Sequence, residues 1–280
     1  MKFKTTLLSF LLLLVISTPS IANTDIKIVI PFSEGGGTAT MSKFVVEYLE
    51  NNGYNVNLHI AGNPANARRI YENTDVPSIV VWENGYLADK GSVGDIGAPT
   101  ADNFFNVWFW APFYVCAKPG YEDVLNADAN VGVNPHPSFP NWLLEKLVSE
   151  NPNLSPVVYK NSGAIKTALV SGEINIGIND RGLEWQNDGI ADCKYNTSME
   201  ITNGTKPLGK EIGKNINYSF IAYSFVVNMD QDLRISLQKD FKSALKSEKI
   251  SRYFEGRNQD QRIMQLSQLE QLEFLSSTLD

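Results

Sequence analysis

The stretch "VIPFSEGGGTATMSKF", Val29 to Phe44, decides how the chain is read. Ile26, Ile28 and Ile30 alternate as in a strand and lead into three consecutive glycines, Gly35, Gly36 and Gly37. Directly behind them Met41, Phe44, Val45, Tyr48 and Leu49 fall on one face at helical spacing, and Asn51-Asn52-Gly53 closes the helix. Strand, glycine turn and helix in that order build an anion site. Glycine lets a ligand touch the backbone, and the first N–H groups of a helix lack intrahelical partners and carry partial positive charge. Thr38 or Thr40 can cap this helix and present a hydroxyl. A tight turn alone would also use glycine, but three in succession cost entropy that a turn does not require, which favours binding. No Lys-Ser/Thr follows as in a P-loop, and Thr40 stands where a dinucleotide fingerprint needs its third glycine.

Working outward, strand and helix patterns alternate. Asn55–Ile60 reads as a second strand, Asn66–Glu72 as a short helix, and Ser78–Trp82 as a third strand, apolar throughout and therefore central and parallel. The alternation resumes with strands at 131–133, 157–159 and 174–178, and helices at 142–148 and 164–170. Phe220–Asn228 reads as a further strand, followed by helices over 232–255, with a break, and 267–276. This is an α/β pattern, with mostly parallel sheets flanked by helices. Two such runs on either side of Phe104–Ala129 predict two lobes, 23–118 plus 196–280 and 119–195, with a ligand at the strand C-termini.

Residues 1–22 read as a cleaved export signal. Lys2 and Lys4 precede an apolar run from Leu7 to Ile16, and Ser20-Ile21-Ala22 is a small-x-small cleavage site. The net charge of −7 becomes −9 once Lys2 and Lys4 are removed, which argues against a nucleic-acid surface. "FFNVWFWAPFYVCA", Phe104–Ala117, is too short and too interrupted to span a membrane and reads as buried strand. Two cysteines, Cys116 and Cys193, in an exported chain favour a disulfide over two buried thiols. No CxxC is present, the histidines are His59 and His136, and no cofactor or metal is expected.

The segment "IKIVIPFSEGGGTATMSKFVVEYLE" resembles the opening of the tripartite tricarboxylate transporter receptor family, periplasmic solute-binding proteins whose first strand ends in a Pro-Phe-x-Pro-Gly-Gly loop. "VVYKNSGAIKTALVSGEINIGIND", Val157–Asp180, is similar to that family's Tyr-Lys-Gly-Ser-Gly segment with its helix and next strand. "SFPNWLLEKL" resembles its second-lobe helix start, and "TKPLGKEIG" followed by "FIAYSFVVNMDQDLRISLQKDFKSAL" has the order of its closing segments. The likeness covers most of the chain after the leader and is weak between Ala61 and Ala101. It implies a two-lobe, type II periplasmic-binding-protein-like clamshell that closes on a small carboxylate. It also implies a monomer that delivers its solute to membrane permease subunits of a tripartite transporter. Carried over by position, the first-lobe contacts are Ser33, Glu34, Gly35, Gly36, Gly37 and Thr38, with Glu83 and Asn84 after the third strand. The second lobe would contribute Ser138, Asn161, Ser162 and Gly163, and Asp180 could line the cleft. Cys116 and Cys193 would lie near the two lobe crossovers, where a disulfide would tie the hinge.

The departures from that pattern are informative. The family has Pro where this chain has Glu34, and Asp where it has Ala39. A carboxylate beside an anion site would repel a second carboxylate and attract an ammonium, so Glu34 implies an amino acid or other small zwitterion as ligand; the alternative is that Glu34 points to solvent. His136, His59 and the five tryptophans read as structural. A sensor for a signalling receptor and a secreted hydrolase using Lys160 and Ser162 are the competing functions, although no G-x-S-x-G or H-E-x-x-H context is present.

Overall fold

The computed structural model of the chain describes residues 24–88, 99–135, 138–255, 257 and 266–277. The expected leader, residues 1–22, and His136 lie outside the described residues. In chain order the elements are β1 (Thr24–Ile30), α1 (Gly37–Asn51), β2 (Tyr54–Ile60), α2 (Pro64–Glu72), β3 (Ser78–Glu83), α3 (Asn84–Ala88), β4 (Phe104–Pro112) and β5 (Tyr114–Ala117). The chain continues with β6 (Ala129–Val133), α4 (Phe139–Glu150), β7 (Leu154–Val158), α5 (Ser162–Ser171), β8 (Ile176–Asn179), α6 (Gly182–Asn187), β9 (Asp192–Asn196) and β10 (Lys206–Pro207). It closes with α7 (Leu208–Glu211), β11 (Ser219–Val227), α8 (Gln231–Leu245), α9 (Glu248–Glu255) and α10 (Gln268–Ser277).

Two sheets result, ordered β2-β1-β3-β11-β4 and β10-β9-β5-β8-β6-β7. In the first, β1 pairs parallel with β2 and β3 along its two edges, and its faces pack on helices: Ile26, Ile28 and Ile30 with Met41, Val45 and Leu49 of α1, and Val29 with Ala67 and Tyr71 of α2, so all four are fully buried. Every residue of β3 is buried, as its unbroken apolar run predicts. In the second, β6 pairs parallel with β7 and β8. Each sheet carries one strand of opposite direction: β11 runs antiparallel to β3 and β4, and β5 runs antiparallel to β8 and β9. These are the strands by which the chain enters the second sheet and returns to the first.

The crossovers differ from the sequence expectation. β5 pairs only within the second sheet, so the first crossing is at Phe113 rather than after 118. β10 pairs with β9, so the second sheet runs on to Pro207 rather than ending at 195. The apolar run 104–117 hides the change because both of its halves are buried strands. The two sheets share an apolar seam at the crossing. Phe139 at the start of α4 stacks on Tyr218 before β11 with ring centroids 3.8 Å apart, and Phe113 lies 5.3 Å from Phe139.

Cys116 and Cys193 are joined in a disulfide between opposed residues of β5 and β9. The bond sits inside the second sheet, not across the hinge, because both strands belong to that sheet. Gly182, which opens α6, packs against it; a Cβ there would come within 2.5 Å of Cys116 Sγ. The bond closes a 77-residue separation, a constraint on the unfolded chain worth about 4.5 kcal/mol in the loop-entropy account. Reduction, or the double change Cys116→Ser with Cys193→Ser, should therefore lower the urea midpoint and, by letting the unfolded chain expand, steepen the slope of the transition. Equal midpoints for oxidised and reduced protein would remove this bond from the account of stability.

Candidate functional site

A cavity of about 140 Å³ lies between the sheets and takes wall residues from both. Four helices begin at it. Their N-cap residues, Gly36 for α1, Asn63 for α2, Ser138 for α4 and Asn161 for α5, all line it. Two of these caps are closed: Asn63 Oδ1 accepts from Asn66 N at 2.8 Å, and Asn161 Oδ1 accepts from Ala164 N at 2.9 Å. The other two are open. No side chain caps α1, and the Ser138 hydroxyl donates to the Asn134 carbonyl at 3.1 Å instead of serving α4. Neither threonine caps α1: Thr38 is buried in its first turn, and Thr40 Oγ1 donates to Gly36 O at 3.1 Å. First-turn amides of α1, and at α4 those of Phe139 and Asn141 (Pro140 between them has none), thus have no side-chain acceptor at the cavity, where an anion is favoured by about 0.3–1 kcal/mol per helix end, more when desolvated.

The glycine run has a local reason at each position. Gly35 takes φ +84°, which bends the chain into α1. A Cβ on Gly36 would stand 3.1 Å from Ser33 O, and one on Gly37 would meet Tyr253 Oη at 3.3 Å and Arg181 Cδ at 3.5 Å. Gly36 and Gly37 line the cavity; Gly35 does not.

The two lobes touch across the opening. Asn161 Nδ2 donates to Glu34 O at 2.8 Å, and a Cβ on Gly163 would stand 3.4 Å from Gly35 O. Behind this contact Glu184 of the second lobe forms ion pairs with its neighbour Arg181 at 2.6 Å and with Arg257 at 3.0 Å. Arg257 follows α9 on the first lobe and lies 3.6 Å over the Tyr253 ring, while Tyr253 Oη donates to Gly37 O at 2.7 Å.

Of the residues singled out from sequence, Ser33, Gly36, Gly37, Thr38, Glu83, Ser138, Asn161, Ser162 and Asp180 line the cavity. Gly35 and Gly163 meet each other at its rim. Two residues stand elsewhere. The Glu34 side chain is 75% exposed and pairs with Lys43 at 2.8 Å, because the turn at Gly35 directs it outward; it cannot select a zwitterion. Asn84 is turned into the first sheet, donating to Ser219 O at 3.0 Å and accepting from Ile221 N at 3.1 Å. Ser162 Oγ accepts from Arg181 Nη1 at 3.1 Å, so its neighbour is a guanidinium that takes no proton and cannot serve as its base. Sequence reasoning missed Asn63, although Asn63-Pro64 is a readable helix start, and it raised Lys160 only as a partner of Ser162 in a hydrolase, whereas Lys160 lines the cavity beside the Asn161 cap. It also missed the aromatic wall of Phe32, Tyr86, Phe113 and Phe220, which tertiary packing alone assembles.

Among the described residues, Glu83 and Asp180 are the acidic members of the wall. Burial, and after it the charge of Asp180, hold the Glu83 carboxyl well above the usual carboxylate range. Burial raises Asp180 to about 6, against the pull of Arg181, a backbone hydrogen bond and Arg257. A carboxyl raised in the folded state binds a proton that the unfolded chain has released, so folding stability falls as pH rises from about 4 through 6. For Asp180 the span from 3.8 to about 6 corresponds to at most about 3 kcal/mol, reduced by the exposure it retains to the cleft. Asp180→Asn should therefore raise the melting temperature of the ligand-free protein at pH 7, with little effect near pH 4. A gap between the two proteins that does not grow with pH would refute the assignment.

No protein-family model and no curated protein matches the chain. Solved structures do. The periplasmic binding protein BugD superposes with a TM-score of 0.72 over 91% of this chain and 94% of its own, at 12% identity. MatC from Rhodopseudomonas palustris with bound malate gives 0.70 over 92% and 96%, at 15% identity. Rpa4515 from R. palustris with adipate gives 0.71 over 92% and 94%, at 12% identity. At such identities the likeness is one of fold. The chain has the two-lobe α/β fold of the tripartite tricarboxylate transporter-type periplasmic binding proteins.

Proposed function

We propose that the chain is the solute-binding receptor of a tripartite-type transporter, working in the periplasm after loss of residues 1–22. It captures a small carboxylate-bearing solute between its lobes and presents the closed form to membrane permease subunits. The observation that carries this reading is the convergence of helix N-termini from both lobes on one cavity. A carboxylate placed there satisfies amides of α1 and α4 at once, so it gains both sets of contacts only when the cleft is closed. That difference in affinity between open and closed states is what shifts the balance toward closure. The cavity is roughly ten times what a single water requires, which fits a solute of about ten non-hydrogen atoms. The malate and adipate held by two of the similar structures are of that size and chemistry.

The reading is tested by extracting ligand from protein purified without refolding and by a thermal-shift panel of C3 to C6 carboxylates. A solute present at about 100 times its Kd should add about 2.7 kcal/mol of stability. Asn161→Ala removes the α5 cap, costing about 1 kcal/mol, and also the bridge to Glu34 O. It should weaken the solute roughly tenfold by disfavouring closure. An absence of any carboxylate in the extract and in the panel would overturn the proposal.

A further inference from the structure

The geometry points to a cation-binding end of the same cleft: Glu83 and Asp180 hold an ammonium group of the solute, which is therefore a small amino acid or a comparable zwitterion. This rests on the reading of the cavity as a carboxylate-binding site. Glu83 ends β3 in the first lobe, is 6% exposed and lines the cavity. Among the described residues no hydrogen bond reaches its carboxyl, so a buried polar group faces the cavity without a partner. Asp180 directly follows β8 in the second lobe and lines the same space. The two carboxyls thus approach one cavity from opposite lobes, and a cation between them would join the lobes as a carboxylate at α1 and α4 does.

Arg181 adjoins Asp180 and donates to Glu184 at 2.6 Å and to Ser162 at 3.1 Å, while Arg257 donates to the Tyr253 carbonyl at 3.0 Å and forms an ion pair with Glu184 at 3.0 Å; both also draw the Asp180 carboxyl down. Lys160 also lines the cavity, next to the Asn161 cap, and is the cation available to the carboxylate of the solute. A dicarboxylate without a cation would place its second anion against two carboxyls. It could remain only by sharing a proton with Glu83.

Titration calorimetry at pH 7.5 with pairs that differ in a single group decides between these occupants: aspartate and malate, glutamate and 2-hydroxyglutarate, alanine and lactate. In at least one pair the amino acid should bind ten or more times more tightly than its hydroxy counterpart. Glu83→Gln should remove at least tenfold of that affinity and leave the hydroxy acid unchanged or improved. Asp180→Asn should act in the same direction, which guards against a folding defect in either variant, and melting temperatures report that both fold. Tighter binding of a hydroxy acid or plain dicarboxylate than of its amino counterpart overturns the inference while leaving the receptor reading intact. Undiminished amino-acid affinity in Glu83→Gln does the same. Failure of every member of the pairs to bind overturns both.

Discussion

Helices α1 and α4 begin without a side-chain oxygen over their first-turn amides, and the cleft is arranged around that deficit. Three other helices are capped, Asn63, Asn161 and Asp230 each accepting from an amide in the first turn, while the short helices α6 and α7 also begin without a side-chain cap. At α1 a glycine holds the cap position, and at α4 the serine that could cap turns to Asn134. The parallel order of β1 with β3 and of β6 with β8 points their carboxyl ends at one space, so the open helix starts that follow β1 and β6 meet there. Neither lobe alone encloses that space.

The acidic wall adds the opposite preference. Two carboxyls raised above their ordinary range are a cost to the empty fold, most severe at neutral pH. Such strain is typical of sites shaped for a partner rather than for stability. The closing contacts outside the cavity are modest: one amide on a carbonyl, two arginines on Glu184, and the Phe139–Tyr218 stack at the crossing. They can hold a closed form without making it irreversible.

Much of this was legible in the chain. The alternation of elements and the centrality of β3 come directly from periodicity, and the glycine turn marks the first open helix start. What escaped was directional. Gly35 at φ +84° turns Glu34 away from the site its position suggests, and a one-residue change of direction leaves no trace in composition. Asn84 follows Glu83 and differs from it only in facing the sheet. The crossing at Phe113 vanished inside a continuous apolar run because strands on both sides of it are buried. The aromatic wall draws on Phe32, Tyr86, Phe113 and Phe220, whose separations in the chain carry no periodic signal.

Glu34 offers a foothold for measurement. Its carbonyl touches the opposite lobe through Asn161, while its side chain stands in solvent beside Lys43. A reporter dye attached at this position would ride on the rim without entering the cavity, and its surroundings would change whenever Asn161 withdrew. The residue that fails to read the ligand's charge is thereby well placed to report, optically, whether the clamshell is shut.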